Sequence, residues 1–113
     1  MSTIAVEMMI EPGAETILRN MGKQMRTKAR SKVLNRALDH IRINEHASDV
    51  AAWFSEPRFM ASRRTTVRIS GENADYLKAI AAMVGRGRPA VLLDIVYMAA
   101  SKMNREDYES LRT

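Results

Sequence analysis

The chain has 113 residues, which suits one domain of ordinary size and is too short for two independent enzyme domains. Its 18 lysines and arginines outnumber its 13 aspartates and glutamates, and the net charge of +5 favours an anionic partner such as nucleic acid. Cysteine is absent, which excludes disulfides, a thiolate nucleophile and cysteine-based metal sites.

The first predicted element is a strand in the sequence IAVEMMI, residues 4–10. Val6, Met8 and Ile10 recur at every second position, which puts them on one face of a strand. A proline and a glycine then end the strand and begin a helix that runs to about Met25.

A turn and a second helix follow. The turn has the sequence RTKARS, residues 26–31, and either Thr27 or Ser31 is expected to cap the helix after it. That helix carries apolar residues at three- and four-residue spacing from Val33 to Ile41, which is typical of a helix with one buried face.

Residues 45–62 are predicted to link the two halves of the chain. Because the segment contains Trp53, Phe54 and Phe59, it is too aromatic for a flexible spacer. The part from Asp49 to Phe54 is expected to form a short helix, with Trp53 packed against the domain rather than stacked on a base.

The second half of the chain begins with the sequence TTVRIS, residues 65–70. Val67 and Ile69 alternate with polar residues, which predicts a strand with one apolar face. Gly71 ends this strand, and apolar residues then recur at helical spacing from about Glu72 to Val84.

The sequence GRGRP, residues 85–89, separates this helix from the next one. Gly85 suits the position just after a helix, and Pro89 suits the first turn of a new helix. The new helix runs to about Met103 and is apolar on most sides, so we expect it to be buried. Residues 104–113 are charged and are expected to fray or to form a short helical extension.

A lone strand leaves its backbone N–H and C=O groups unpaired, so the strand at 65–70 requires a partner. Sliding the sequence against itself by 59 residues without a gap aligns the apolar residues of the two halves, for example Ile10 with Ile69. We therefore predict two repeats, 3–44 and 63–103, that form one mostly helical domain around a two-stranded antiparallel ribbon. The alternative is two amphipathic helical pairs that coincide only because their spacing is common.

The order strand, helix, helix, twice over, resembles the ribbon-helix-helix family of DNA-binding proteins. Members of that family usually form this unit as a homodimer, so the chain resembles a fused version, a monomer that acts as a pseudo-dimer. The resemblance implies double-stranded DNA as the partner. It also implies that the polar face of the ribbon enters the major groove and that the N-termini of the second helices bind phosphates.

The resemblance assigns candidate DNA-binding residues by position. On the polar face of the second strand, Arg64, Thr66 and Arg68 are expected to read bases, with Glu7 and Met9 as the candidates in the first repeat. The expected phosphate-binding residues lie in or beside the turns that precede the second helices: Arg26, Thr27, Lys28, Arg30, Ser31, Lys32, Arg86 and Arg88.

The distribution of charge suggests that the two repeats contribute differently. Residues 19–36 contain seven basic and no acidic side chains, which indicates a surface for the DNA backbone or, alternatively, a solvated face. The polar face of the first strand brings no positive charge, and its half of the ribbon is the weaker candidate for reading bases. The arginines of GRGRP also have an alternative interpretation, in which they are solvated side chains at a helix break and bind no phosphate.

Two different repeats in one chain are free to bind a DNA site that is not palindromic. The resemblance implies a role as an accessory factor that helps a relaxase in conjugative or T-DNA transfer, and a transcriptional repressor is equally compatible with these residues. The alternative from another class is a protein-interaction module, such as an antitoxin or scaffold, which binds little DNA.

Enzymatic activity is not expected. The two histidines, His40 and His46, lack metal-ligand spacing, so neither a metal nor another cofactor is expected. The sequence also lacks nucleotide-binding and nucleophile motifs. No apolar run reaches the about 18 residues of a membrane span, and the N-terminus has no secretory signal pattern. We therefore expect a cytoplasmic protein without a membrane partner.

Overall fold

Two strands and six helices follow one another in the part of the chain that the computed structural model describes, residues 2–54 and 63–111. In chain order they are β1 (Thr3–Ile10), α1 (Pro12–Met25), α2 (Arg30–Asn44), α3 (Ala47–Trp53), β2 (Arg63–Ser70), α4 (Gly71–Val84), α5 (Arg88–Lys102) and α6 (Arg105–Ser110). Within those ranges every helix is too short or too polar to cross a membrane. The mostly helical fold with a two-stranded antiparallel sheet is as the sequence predicts.

The partner of β2 is β1, and the two strands pair antiparallel along their whole length. Ile4 lies opposite Ile69 and Val6 lies opposite Val67, so these four residues share one face. That face covers the core, where Ile69 and Val67 are buried. A slip of one residue would turn this whole set of side chains to the opposite face, so burial of one face fixes the register.

The first helix after each strand buries matching positions. In α1 these are Ala14, Leu18, Met21 and Gly22, and in α4 they are Asn73, Leu77, Ile80 and Ala81, each 59 residues later. Both helices have 14 residues and both end at a left-handed residue, Arg26 with φ 60° and Gly85 with φ 67°. The buried positions of the two first helices therefore follow the offset of 59 residues.

The second helices follow a different offset. The buried residues of α2 are Val33, Leu34, Ala37, Leu38 and Ile41, and residues 58 positions later in α5 are all buried. An offset of 59 would instead match Ile41 with Ala100, which is exposed. The gapless alignment is wrong here because four residues, 26–29, connect α1 to α2, whereas three residues, 85–87, connect α4 to α5.

The longer connection packs tightly on the end of α1. The Thr27 N–H donates to the Gly22 carbonyl, and a Cβ on Gly22 would meet the Thr27 carbonyl oxygen at 2.7 Å. A glycine is needed at this position because any side chain would displace the turn.

The last helices and the linker cover the remaining core. α3 begins two residues before the predicted short helix and buries Val50, and Phe54 beyond it contacts Trp53 edge to face, with ring centroids 4.9 Å apart. The remainder of the predicted linker, including Phe59, lies outside the described residues.

Residues 105–110 form α6, the expected helical extension, and its Tyr108 side chain is buried. Burial raises the pKa of the Tyr108 hydroxyl, and burial with the nearby Glu45 carboxylate raises the pKa of Tyr76 to about 12.

A buried polar network ties α2 to the start of α4. The Asn73 side chain is 0% exposed and donates to the Asn35 side-chain oxygen at 2.7 Å and to the Asp39 carboxylate at 2.8 Å. The Arg42 guanidinium donates to the Asn73 side-chain oxygen at 3.0 Å. Each polar group of the Asn73 amide therefore has a partner, which is what burial of an amide requires.

The Asn73→Ala variant should lower the free energy of unfolding by about 1–3 kcal/mol, because it removes the hydrogen bonds that join the buried Asn73 amide to three partly buried side chains of α2. Chemical denaturation followed by circular dichroism measures this change. Asn20→Ala, at an exposed position on α1, is the matched control and should change stability by less than about 0.5 kcal/mol. Equal effects of the two substitutions would contradict the role of the network.

Candidate nucleic-acid interface

The outer face of the ribbon carries the polar side chains that the alternation of the strands predicts. Residues directly opposite each other in an antiparallel pair share a face, so Glu7 stands beside Thr66 and Ala5 stands beside Arg68. Both of these pairs and Arg64 are exposed. The three predicted base-reading residues of β2 are therefore together on one accessible face.

Both arginines of this face are held by side chains or backbone of β1. The Arg64 guanidinium donates through Nη1 to the Glu7 carboxylate at 3.2 Å. Arg68 donates through Nε to the Thr3 hydroxyl at 2.9 Å and through Nη2 to the Thr3 carbonyl oxygen at 3.0 Å. Each guanidinium keeps other N–H groups, since arginine carries five.

Met9 does not lie on the accessible surface as predicted. It stands opposite Arg64, but its side chain is only 5% exposed and belongs to the hydrophobic core cluster. A long thioether gains free energy when it leaves water, so it is covered by neighbouring apolar groups instead of extending outward with the polar residues. Met9 is therefore removed from the candidate base-reading set.

The first turn of α2 lies along the free edge of β2. The Ser31 hydroxyl accepts a hydrogen bond from the Arg68 N–H at 2.9 Å, and the Asn35 side chain accepts one from the Ser70 N–H at 2.9 Å. Arg30 donates through Nη1 to the Thr65 hydroxyl at 3.3 Å. These contacts cover the strand edge and fix the N-terminus of α2 beside it.

The N-terminus of α2 has no side-chain cap and no acidic residue in its first turn. The expected caps are wrong: the Thr27 hydroxyl accepts from the Ala29 N–H, and the Ser31 hydroxyl accepts from β2. The first helical bond joins the Val33 N–H to the Ala29 carbonyl, so the N–H groups of residues 30–32 have no partner within the helix. Such N–H groups, together with the helix dipole, attract anions.

The N-terminus of α5 is similar, whereas two other helices are capped. α5 begins after Gly87, also without a side-chain cap or an acidic residue in the first turn. By contrast, the Ser70 hydroxyl caps α4 and the Asn104 side chain caps α6. Among the four helices of 14 or 15 residues, α2 and α5 are thus the two that lack both a side-chain cap and an acidic residue in the first turn.

Basic side chains surround the turn before α2. An open cavity of about 650 Å³ lies between α1 and this turn, and the cationic residues that line it are Arg19, Lys23, Arg26, Lys28 and Arg30. Glu15 is the one carboxylate of the lining, and it forms long ion pairs with Arg30 at 3.9 Å and Arg63 at 3.7 Å. The cavity is therefore strongly cationic. Lys32 is exposed just beyond it.

Of the seven basic residues in the run, Arg36 takes no part in this surface. Its guanidinium donates to the carbonyl oxygen of Leu111, the residue that follows α6, at 3.1 Å. Arg19, Lys23 and Lys28 form no ion pair with the described residues, which leaves their charge available to an anionic partner.

The two arginines of the second turn have different environments. Arg86 forms an ion pair with Asp94, a residue of α5 that is 1% exposed, and the Arg86 side chain is itself only 16% exposed. Arg88 is exposed at the start of α5. Arg86 therefore compensates the charge of a buried carboxylate, and only Arg88 remains in the candidate phosphate-binding set of this turn.

Several contacts of the interface cannot be found from the sequence patterns. Thr3 and Asn35 are close to the ribbon only in the folded chain, and their spacing from Arg68 and Ser70 carries no signal. Asp94 does carry one, since an acidic residue in an otherwise apolar helix requires a cationic partner. That signal predicts a cationic partner, and the structure shows that the partner is Arg86.

Comparison with known proteins gives no match: no family model, no curated protein and no solved structure is significantly similar to the chain. Within residues 2–54 and 63–111 no group of three or more histidines, aspartates and glutamates is arranged to hold a metal ion. The function must therefore be inferred from the geometry of this interface.

The Arg86→Ala variant should lower the free energy of unfolding by about 2–4 kcal/mol, because the Asp94 carboxylate would lose its guanidinium in a buried environment. Arg88→Ala removes the same charge from an exposed position two residues away and should cost less than about 0.5 kcal/mol. Urea unfolding of both variants makes the comparison. If Arg86→Ala is as stable as Arg88→Ala, Arg86 has no structural role.

Proposed function

We propose that this protein binds double-stranded DNA as a single-chain member of the ribbon-helix-helix class. The outer face of the ribbon enters the major groove, and the N-termini of α2 and α5 bind phosphates on either side. The observation that carries the proposal is the position of Arg64, Thr66 and Arg68 on one exposed face beside an uncapped, strongly basic helix N-terminus.

The ribbon has the dimensions and chemistry for the major groove. The groove admits a two-stranded β-ribbon, and arginine is the residue that most often recognises guanine there, through the O6 and N7 atoms. Thr66 lies between the two arginines and provides a hydroxyl and a methyl group for a base edge.

The basic surface around α2 supplies the affinity that does not depend on sequence. Lysines and arginines that neutralise phosphates release counterions, which is the main source of non-specific binding to DNA. In the proposed complex, Lys28, Arg26 and Lys32 contact phosphates together with the N–H groups of residues 30–32. On the other side, α5 offers the Arg88 side chain and the N–H groups of Arg88 and Ala90, since Pro89 has none.

The pairing of the strands supports the interpretation of the chain as two fused copies. Glu7 lies opposite Thr66, its own counterpart 59 residues later. The neighbouring pairs follow the same rule. Ala5 faces Arg68, which is the counterpart of Met9, and Met9 faces Arg64, which is the counterpart of Ala5. In the proposed fused arrangement a local two-fold axis passes through the Glu7 and Thr66 pair, and the equal helix lengths of 14 and 15 residues in each half agree with it.

The two copies present different chemistry, so the proposed DNA site is not palindromic and one chain is sufficient to bind it. Base reading comes from β2, and the denser phosphate contacts come from α1 and α2. This arrangement suits an accessory factor that marks one asymmetric site for a relaxase in conjugative or T-DNA transfer. It also suits a cytoplasmic transcriptional regulator with an asymmetric operator.

The salt dependence of binding tests the proposal. Fluorescence anisotropy with a labelled mixed-sequence duplex should give a log–log slope of several units between affinity and salt concentration. Lys28→Ala should lower affinity about 3- to 10-fold and reduce the slope by about one unit, since it removes one phosphate contact.

Lys102→Ala is the matched control for this experiment. It removes one lysine at the far end of α5, where the ammonium forms an ion pair with Glu45 at 3.0 Å. This substitution should leave both affinity and slope unchanged. Absence of binding to any duplex at low salt would reject the proposal and favour a protein-interaction module.

A further inference from the structure

The two arginines of the ribbon face are not equivalent to freely moving surface arginines. Arg64 is joined to Glu7, and Arg68 is joined twice to Thr3, so each guanidinium is fixed by a residue of the opposite strand. A long side chain that is already held in place loses less conformational entropy when it binds. The hydrogen bonds within the ribbon therefore prepare β2 for binding before any partner arrives.

The remaining donors of each guanidinium are suited to a base edge. Arg68 uses Nε and one Nη2 hydrogen on Thr3, so its Nη1 group and the second Nη2 hydrogen remain at the outer end. Arg64 uses Nη1 on Glu7 and retains Nε and Nη2. In both cases two neighbouring donors are left, as a bidentate bond to guanine O6 and N7 requires.

Glu7 is poorly placed to read a base by itself. Its Oε2 atom already accepts the bond from Arg64, and a carboxylate facing phosphates is repelled unless a cation compensates it. The Arg64 guanidinium provides that compensation at 3.2 Å. Within this pair, Arg64 is therefore the residue suited to contact a base, and Glu7 is the residue that orients Arg64.

We propose that Glu7 and Thr3 are positioning residues, and that the chain reads two guanines through Arg64 and Arg68 along one segment of the major groove. This inference rests on the proposed function and specifies its target. Arg64 and Arg68 are four residues apart on one face of β2, which is about 13 Å at strand spacing and corresponds to about four base-pair steps of DNA.

The counterpart positions on β1 explain why the target has no inverted repeat. Ala5 and Met9 occupy the positions that mirror Arg64 and Arg68 across the local two-fold axis, and neither carries a hydrogen-bonding side chain. The first copy therefore contributes orientation through Glu7 and Thr3, whereas the second copy contributes recognition. The preferred site is an asymmetric one with two G·C pairs about three to five base pairs apart.

Selection of bound duplexes from a random pool with the full chain identifies the preferred site, and competition among its single-base-pair variants then measures each position. The expected site contains the two G·C pairs. Arg64→Ala should abolish preference at one pair and Arg68→Ala at the other, each by about 10-fold or more. Circular dichroism confirms that each variant is folded.

The Glu7 variants separate positioning from direct reading. Glu7→Ala should reduce discrimination about 3- to 10-fold at the pair that Arg64 reads, and at that pair alone. The same variant should bind mixed-sequence DNA more tightly than the unmodified chain, because a negative charge near phosphates is removed. Glu7→Gln retains a hydrogen-bond acceptor and should preserve most of the discrimination.

Two further variants complete the comparison. Thr3→Val removes the hydroxyl acceptor of Arg68 but not the carbonyl, so it should weaken discrimination only at the pair that Arg68 reads. Glu106→Ala, at an exposed position on α6, removes the same charge as Glu7→Ala and should not alter discrimination.

Three outcomes would overturn the inference in distinguishable ways. If Glu7→Ala changes preference at a pair that Arg64→Ala leaves intact, Glu7 reads that base directly. If selection returns a palindrome, the first copy reads bases as well. If the chain binds no duplex at all, the proposed function itself is rejected, and the inference is rejected with it.

Discussion

The pairing of β1 with β2 determines most of what the rest of the structure can do. Among the described residues, each strand has only the other as a strand partner, so the two strands pair the backbone N–H and C=O groups along one edge of each. Side chains of α2 accept hydrogen bonds from the remaining edge of β2. The strands are far apart in sequence, and their pairing brings the helices that follow each of them over one core. Since Met8, Val67 and Ile69 lie on the inner face, Glu7, Arg64, Thr66 and Arg68 are left together on the outer one.

This arrangement separates stability from recognition within one small domain. The inner face, α4 and α5 supply burial, with α5 apolar around almost its whole circumference. The outer face and the turn before α2 carry cations that nothing in the core requires. Where a charge is needed for the fold, it is satisfied internally, as Arg86 satisfies Asp94 and as Arg42 satisfies the network around Asn73. The proposed DNA interface instead employs cations at exposed positions, such as Arg64 and Lys28, whose charge the core does not require.

The sequence predicts the elements and the strand pairing because burial imposes a period of two residues on strands and of about 3.6 on helices. It fails where a contact depends on three-dimensional neighbours or on the length of a turn. The extra residue before α2 shifts the second helices to an offset of 58, which no apolar period reveals. Met9 lies on the same face of the ribbon as the polar residues but is buried. The alternation along a strand predicts the face on which a side chain lies, but not which other residues cover it. The support of Arg68 by Thr3 likewise arises only after folding.

The most direct test of the account is whether residues 7 and 66 meet within one chain. The protein has no cysteine, so Glu7→Cys with Thr66→Cys introduces the sole pair, and directly opposite residues have Cα atoms about 4.5–5.5 Å apart, which a disulfide spans. After mild oxidation, intact mass and peptide mapping should show an intramolecular bridge in a monomer. Glu7→Cys with Thr65→Cys places the thiols on opposite faces and should bridge far less. A bridge confined to this second pair, or a bridge that joins two chains, would contradict the account.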